Sequence, residues 1–352
     1  MPFHMRYADV CIESIAYELP KQVVTSAEIE ARLSPLYDRL QLPYGRLELM
    51  SGIRERRFWD DGVNPSDAAA MAGRKALEQA GLSGGEIECL INCSVSRDFL
   101  EPATASVVHE RLKISPQAAI FDISNACLGM LNGMVTLGNM IALGQIKRGL
   151  LVAGENGKPL VDTTIRQLLA DPTMTRKKFK DAFASLTIGS GAAAIVMTHA
   201  SLSKTGHALN GGAVRTDSEQ NHLCRGSADM GLAADSRPEM STQSEELLHR
   251  GCALAGLTWK DFKKELGWND ADVSKTFCHQ VGIAHRRLLF ETLKLDPAID
   301  FPTVEFLGNM GSVSLPITMA LSIEAGNVMR AEKLALLGIG SGLNCMMLGV
   351  TW

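Results

Sequence analysis

Paired cysteine motifs are missing from this chain. Its eight cysteines, Cys11, Cys89, Cys93, Cys127, Cys224, Cys252, Cys278 and Cys345, contain no CxxC spacing and no tight cluster. That pattern excludes a sequence-defined zinc site or disulfide scaffold and fits a reducing compartment, so the cytoplasm is expected. No sign of charge dominates either: 35 Lys and Arg stand against 39 Asp and Glu, with a net charge of -4. The balance leaves no electrostatic footprint for nucleic acid or an anionic membrane surface. GxSxG, P-loop and HExxH motifs are absent, and no metal site is expected. The first residues show no basic segment followed by an apolar run, so no signal peptide is expected.

One uncharged stretch, Leu334 to Trp352, is long enough to raise the question of a membrane span. Gly338, Gly340, Ser341, Gly342 and Asn344 interrupt it, which predicts two buried strands joined by a glycine-rich turn. The same glycines open no helix, so the dinucleotide-binding fingerprint fails.

With 352 residues and 46% hydrophobic content, the chain can bury a large core, and its length suggests two domains or two fused halves. In the first half, strands are predicted over 9–19, 88–95, 118–123, 149–153 and 192–198. Helices are predicted over 26–33, capped by Thr25 with Glu28 three residues on, and over 64–80 and 104–112. The second half repeats the order, with strands over 208–216, 275–281, 303–307, 334–339 and 345–350 and helices over 244–255, 283–293 and 313–325. Matched element by element, the sequence reads as an internal duplication of one αβ unit, residues 1–204 and 205–352. Within the first half, 161–183 carries a short apolar-periodic piece, a break at Pro172 and the basic run Arg176-Lys177-Lys178. It reads as a solvated surface helix or a cap over an entrance.

The duplication directs attention to strand ends, where functional groups gather in open α/β sheets. Cys127 lies where the buried strand 118–123 hands over to a helix with apolar residues Leu128, Leu131, Val135 and Ile141. A helix N-terminus favours a thiolate, so a lowered Cys127 pKa is expected. In the second half the matching positions carry His279-Gln280 and Gly308-Asn309-Met310-Gly311. Two halves related by a pseudo-twofold axis bring Cys127, His279 and Asn309 together from three loops.

Asp122-Ile123-Ser124-Asn125-Ala126-Cys127-Leu128, His279-Gln280 and Gly308-Asn309-Met310-Gly311-Ser312-Val313-Ser314-Leu315-Pro316 resemble, in order and spacing, the Cys-His-Asn condensing enzymes of the thiolase superfamily. Ser94 to Pro102, Leu223-Cys224-Arg225-Gly226 and Leu337 to Cys345 make the resemblance strongest to the OleA-type enzymes, which join two fatty acyl-CoA molecules head to head. Ketoacyl-ACP synthase III, which uses malonyl-ACP, is a near relative.

The resemblance implies a thiolase-like fold with α-β-α-β-α layers and no cofactor beyond the coenzyme A of the substrate. It implies catalysis by Cys127, His279 and Asn309, with an oxyanion hole from the backbone N–H groups of Cys127 and Ser341. Glu101 takes the place of the glutamate base that reaches the partner subunit's site, which implies a homodimer. Arg225 becomes a candidate for the coenzyme A entrance. The expected reaction is a non-decarboxylative Claisen condensation giving a β-keto acid, the first step toward long-chain olefins, with downstream enzymes consuming the product. A decarboxylative synthase III reaction, or transfer to an ester or amide, are the alternatives. A malonyl donor needs no base, whereas two unactivated acyl chains do. The chain also reads His279-Gln280-Val281-Gly282 where synthase III enzymes carry Gln-Ala-Asn and a carrier-docking basic residue. Arg286 and Arg287 are the nearby replacements.

Overall fold

The computed structural model describes residues 4–226 and 239–352. Its first half contains β1 (Val10–Glu18), β2 (Gln22–Thr25), α1 (Ser26–Arg32), α2 (Ser34–Leu40), α3 (Arg46–Ser51), β3 (Glu55–Phe58) and α4 (Pro65–Ala80). There follow β4 (Cys89–Asn92), α5 (Thr104–Leu112), β5 (Ala119–Asp122), α6 (Gly129–Ala142), β6 (Arg148–Glu155), α7 (Lys158–Ala170), α8 (Arg176–Ala182) and β7 (Gly191–His199). The second half contains β8 (His207–Thr216), β9 (Cys224–Gly226), β10 (Met240–Thr242), α9 (Ser244–Leu266), β11 (Lys275–Cys278) and α10 (Ile283–Leu293). It ends with α11 (Val304–Leu307), α12 (Ser314–Glu324), β12 (Lys333–Gly340) and β13 (Asn344–Thr351). Among the described residues no helix is long and apolar enough to cross a membrane.

Nine strands form one mixed sheet in the order β11-β12-β13-β8-β1-β7-β6-β4-β5. Outward from the short β1–β8 contact the two directions read alike: β7, β6, β4 on one side answer β13, β12, β11 on the other. Alternation along each strand explains the layering, because successive side chains leave opposite faces. Leu334 and Leu336 of β12 point into a central core with α6 and α12, while Ala335 and Leu337 pack under α9 and α10. In the same way Leu151 and Ala153 of β6 face the central core, and Leu150 and Val152 face α4 and α5. The inner strands β6 and β12 are therefore buried on both faces, with α6 and α12 on the central side and α4, α5, α9 and α10 on the outer sides. α6 turns Met130, Leu131, Met134, Leu137 and Ile141 into that core and keeps Asn132, Thr136 and Asn139 along one less buried face.

Three expectations need correction. Residues 303–307 form one helical turn, α11, and not a strand. Pro302 has no N–H for a ladder, the N–H groups of Thr303 and Val304 go to the side-chain oxygen of Gln280, and only Asp300 bridges to Thr276. The strand at 118–123 is not buried: β5 closes the sheet as an edge, and its residues are exposed or half-buried. The helix over 244–255 runs on to Leu266 because Trp259 and Phe262 continue its buried stripe.

Thr25 does cap α1 in a reciprocal box with Glu28. The segment 161–183 contains α7 and α8, whose Val161, Ile165, Leu168 and Phe179 join Ile29, Leu33, Tyr37 and Leu47 in a satellite core. It is thus an amphipathic cover anchored on α1–α3, with its basic residues outward.

Candidate active site

The position of Cys127 is built by a strained turn. Between β5 and α6, Ala126 adopts φ 46°, a left-handed conformation that costs a residue with a Cβ. Leu128 and Gly129 close the turn by donating to the carbonyls of Asn125 (3.0 Å) and Ala126 (3.3 Å). Gly129 begins α6 pressed on β4, where any Cβ would strike the carbonyl oxygen of Cys93. Cys127 is thereby held, half-buried, just ahead of the helix.

The expectation of a lowered Cys127 pKa is overturned. Burial, reinforced by Glu155 and Cys224, pushes the thiol up to about 12, and its own backbone N–H opposes this only weakly. Desolvation outweighs the helix end. A thiol raised so far is neutral at physiological pH and becomes a nucleophile only by losing its proton.

His279 is a second buried titratable group. It follows β11, is 5% exposed, and is fixed by its N–H to the carbonyl of Leu337 at 3.0 Å. Burial and the neighbouring His285 hold its pKa down at about 3, so the imidazole is neutral at physiological pH, and its Nδ1 has no hydrogen-bond partner.

Asn309 is fixed by its backbone on both sides, donating to the carbonyl of Thr187 at 3.0 Å and accepting from the N–H of Gly189 at 2.8 Å. Gly308, at φ 67°, makes this approach possible, since a Cβ there would stand 2.8 Å from the Thr187 carbonyl. The side-chain oxygen of Asn309 accepts the N–H of Gly311 at 3.0 Å, which leaves its amide N–H groups to donate elsewhere.

The turn between β12 and β13 meets the Cys127 motif. At Gly340 a Cβ would lie 3.2 Å from Leu128 Cγ and 3.5 Å from the Asn125 carbonyl oxygen. Ser341 follows directly, and its carbonyl accepts from Asn344 Nδ2 at 3.3 Å. Arg225 is exposed on β9, with its guanidinium 2.8 Å from Asn221 Oδ1. Its neighbour Cys224 bears on Cys127.

Glu101 is exposed on the loop between β4 and α5. That loop is clamped at both ends. Asp98 accepts the Ser66 N–H at 2.8 Å, and Asp122, five residues before Cys127, accepts the N–H groups of Thr104 and Ala105 at 2.8 Å each.

Sequence reasoning missed Glu155. It ends β6 and accepts from the N–H groups of Val95 (2.9 Å) and Ser96 (3.0 Å) and from the hydroxyl of Ser312 (2.5 Å). The available signal was a carboxylate at the carboxyl end of a buried strand. Among the described residues no three His, Cys, Asp or Glu side chains form a metal-ligating group.

Two family models match, both describing 3-oxoacyl-[acyl-carrier-protein] synthase III: one over residues 121–218, the other, its C-terminal part, over 264–352. Acyl-CoA:acyl-CoA alkyltransferase of Shewanella oneidensis is 43% identical over 99% of this chain and 100% of its own. The enzyme of that name from Xanthomonas campestris is 38% identical over the same shares. A crystal structure of Xanthomonas campestris OleA with a glutamate replaced by alanine superposes with a TM-score of 0.94 at 38% identity, covering 99% of this chain and 100% of that one. A cysteine-to-serine form of the same enzyme, with bound lauric acid and lauroyl-CoA, matches with a TM-score of 0.92 at 38% identity over 98% and 100%. With this agreement along its whole length, the chain belongs to the acyl-CoA:acyl-CoA alkyltransferase (OleA) family of thiolase-fold condensing enzymes.

Proposed function

We propose that this enzyme joins two fatty acyl-CoA molecules head to head through an acyl-cysteine on Cys127. The observation that carries the reading is a neutral thiol at a strained strand-to-helix turn, together with a neutral, solvent-withdrawn His279 and an Asn309 whose amide is free to donate. In the first stage the Cys127 thiol attacks a thioester carbon while His279 accepts its proton. The N–H groups of Cys127 and Ser341 hold the oxyanion, and coenzyme A leaves with a proton. In the second, Glu101 of the partner subunit takes the α-proton of a second acyl-CoA, and His279 and Asn309 hydrogen-bond the enolate oxygen. The α-carbon attacks the acyl-cysteine, Cys127 departs as a thiolate that regains the proton Glu101 removed, and hydrolysis of the β-ketoacyl-CoA gives a β-keto acid, a precursor suited to olefin formation by downstream enzymes.

A homodimer belongs to the same reading, in which the exposed Glu101 serves the partner subunit's site. The unpaired edge β5 lies open, with Ile120 37% exposed, and the Glu101 loop displays Phe99 at 55% and Leu100 at 43% exposure. An open edge with exposed apolar side chains is a template for association. The free thiols of all eight cysteines accord with the cytoplasm.

Use of malonyl-ACP is disfavoured by Arg286, the nearer candidate for carrier docking. Its guanidinium is committed to the buried Asp300 at 2.6 Å and to the Pro297 carbonyl at 3.1 Å. Arg225 remains a candidate for the coenzyme A entrance.

The test is incubation with long-chain acyl-CoA alone and then with malonyl-ACP, following thiol release and product mass. Product from acyl-CoA alone is expected. Product only with malonyl-ACP present, or a stable ester or amide made from one acyl-CoA, overturns the reading. Cys127→Ala should abolish both stages, and Glu101→Ala should permit acylation of Cys127 but block condensation.

A further inference from the structure

Glu155 is a buried carboxylate with no cationic partner among the described residues. It is 5% exposed, and burial raises its pKa against the donors that surround it. A charge in such a place is retained only when its hydrogen bonds are complete. Those bonds come from two separate loops. Oε1 accepts from Val95 N–H at 2.9 Å and Oε2 from Ser96 N–H at 3.0 Å, on the loop that leads to Glu101. Oε1 also accepts from the Ser312 hydroxyl at 2.5 Å and the Ser312 N–H at 3.3 Å, on the loop that carries Asn309. The fit is close: Gly311 has φ 58°, and a Cβ there would lie 3.3 Å from the carboxyl carbon. The backbone of Glu155 is itself anchored, its carbonyl accepting the indole N–H of Trp59 at 3.0 Å.

We propose that Glu155 is a positioning residue that fixes the loop of Glu101 in register with the loop of Asn309. The inference rests on the condensing reading above. Glu101 and Asn309 both act on the second acyl-CoA, one taking its α-proton and the other holding the enolate oxygen. Cys127 and the Ser341 turn, which serve acylation, receive no hydrogen bond from Glu155. Its contribution therefore falls on the carbon–carbon bond-forming stage. Glu155 is also, with Cys224, an ionisable neighbour that raises the Cys127 pKa, which gives an independent readout of its charge.

Glu155→Gln keeps the shape but turns an amide N–H₂ toward donors. The experiment measures, for the wild-type dimer and variants, the burst of coenzyme A from acylation, steady-state condensation, and the pH dependence of Cys127 alkylation by iodoacetamide. We expect the Glu155→Gln burst within about twofold of wild type, kcat for condensation down about 100-fold, as for a catalytic group misplaced by about an ångström, and alkylation shifted to lower pH. Ser312→Ala cuts the link but leaves the carboxylate, so condensation should fall about tenfold with the alkylation profile unmoved. If Glu155→Gln does not fold, Ser312→Ala alone decides. Equal losses of acylation and condensation, or no loss in either variant, overturn the inference while the condensing reading stands. A wild-type enzyme that does not condense acyl-CoA overturns that reading and, with it, a role for Glu155 in condensation.

Discussion

The side-chain oxygen of Gln280 accepts the backbone N–H of Thr303 at 3.1 Å. The same oxygen takes the N–H of Val304, also at 3.1 Å, while Nε2 donates to the carbonyl of Cys278 at 2.8 Å. One side chain beside His279 thus replaces the missing strand ladder at 303–304 and ties the end of β11 to the segment leading to Asn309. Leucine or alanine could make none of these three bonds, which explains a glutamine at a position buried to 4% exposure.

Gln280→Ala should leave two buried N–H groups without an acceptor. At about 1–3 kcal/mol for each unsatisfied group, a loss of roughly 2–6 kcal/mol is expected in urea denaturation. Condensation should fall more than acylation, because the displaced segment bears Asn309 and not Cys127. A stability loss with both stages equally preserved would show that the 303–304 tether does not govern Asn309.

Acid should destabilise the fold through two buried histidines. His279 and His285 have folded-state pKa values held down to about 3 and about 4 by burial, against about 6.5 in an unfolded chain. Below 6.5 the unfolded state binds protons that the folded state refuses. The stability they confer is present above that pH and lost as pH falls toward 4, at up to about 1.4 kcal/mol per pH unit for each histidine. His285→Gln should flatten this dependence without abolishing it. Urea midpoints from pH 7.5 to 5 measure it, and identical slopes for wild type and variant would contradict the assignment.

Ile120→Lys should separate association from folding. A charge on the outer edge of β5 opposes strand pairing between copies and, at a partly exposed site, should change monomer stability by no more than about 0.5 kcal/mol. The expected result is a monomer by light scattering that still releases an acylation burst but fails to condense, since Glu101 would have no partner site to enter. A monomer with full condensation would return Glu101 to solvent.

Much of this architecture is legible locally. The Thr25-Glu28 box, the helices at 104–112 and 283–293, and the strands from 192 and 334 follow from caps and periodicity, and the structure has each of them. Thr303-Val304-Glu305-Phe306-Leu307 misleads because its β-branched and apolar residues favour a strand, whereas its backbone is claimed by a glutamine more than twenty residues earlier. Cys127 misleads in a similar way. The helix end is a local feature, but the burial that raises its pKa comes from elements distant in sequence. Glu155 was invisible because its partners, Val95, Ser96 and Ser312, lie some sixty residues before it and more than 150 after it.

Gly340 packs against the turn that holds Cys127. Gly340→Ala would place a methyl group 3.2 Å from Leu128 Cγ and 3.5 Å from the Asn125 carbonyl oxygen, close enough that one side must yield by a few tenths of an ångström. The turn of Ser341 is the softer side, since Asn125 is held by the N–H of Leu128 and by a 2.9 Å bond from its Nδ2 to Asn132. The expected stability change is only about 1 kcal/mol, but a displaced Ser341 N–H weakens the oxyanion contact, whose full loss costs about 100-fold or more. Acylation should therefore slow about tenfold at nearly unchanged stability, as measured by the coenzyme A burst. A normal burst in Gly340→Ala would mean that the Ser341 turn does not hold the oxyanion.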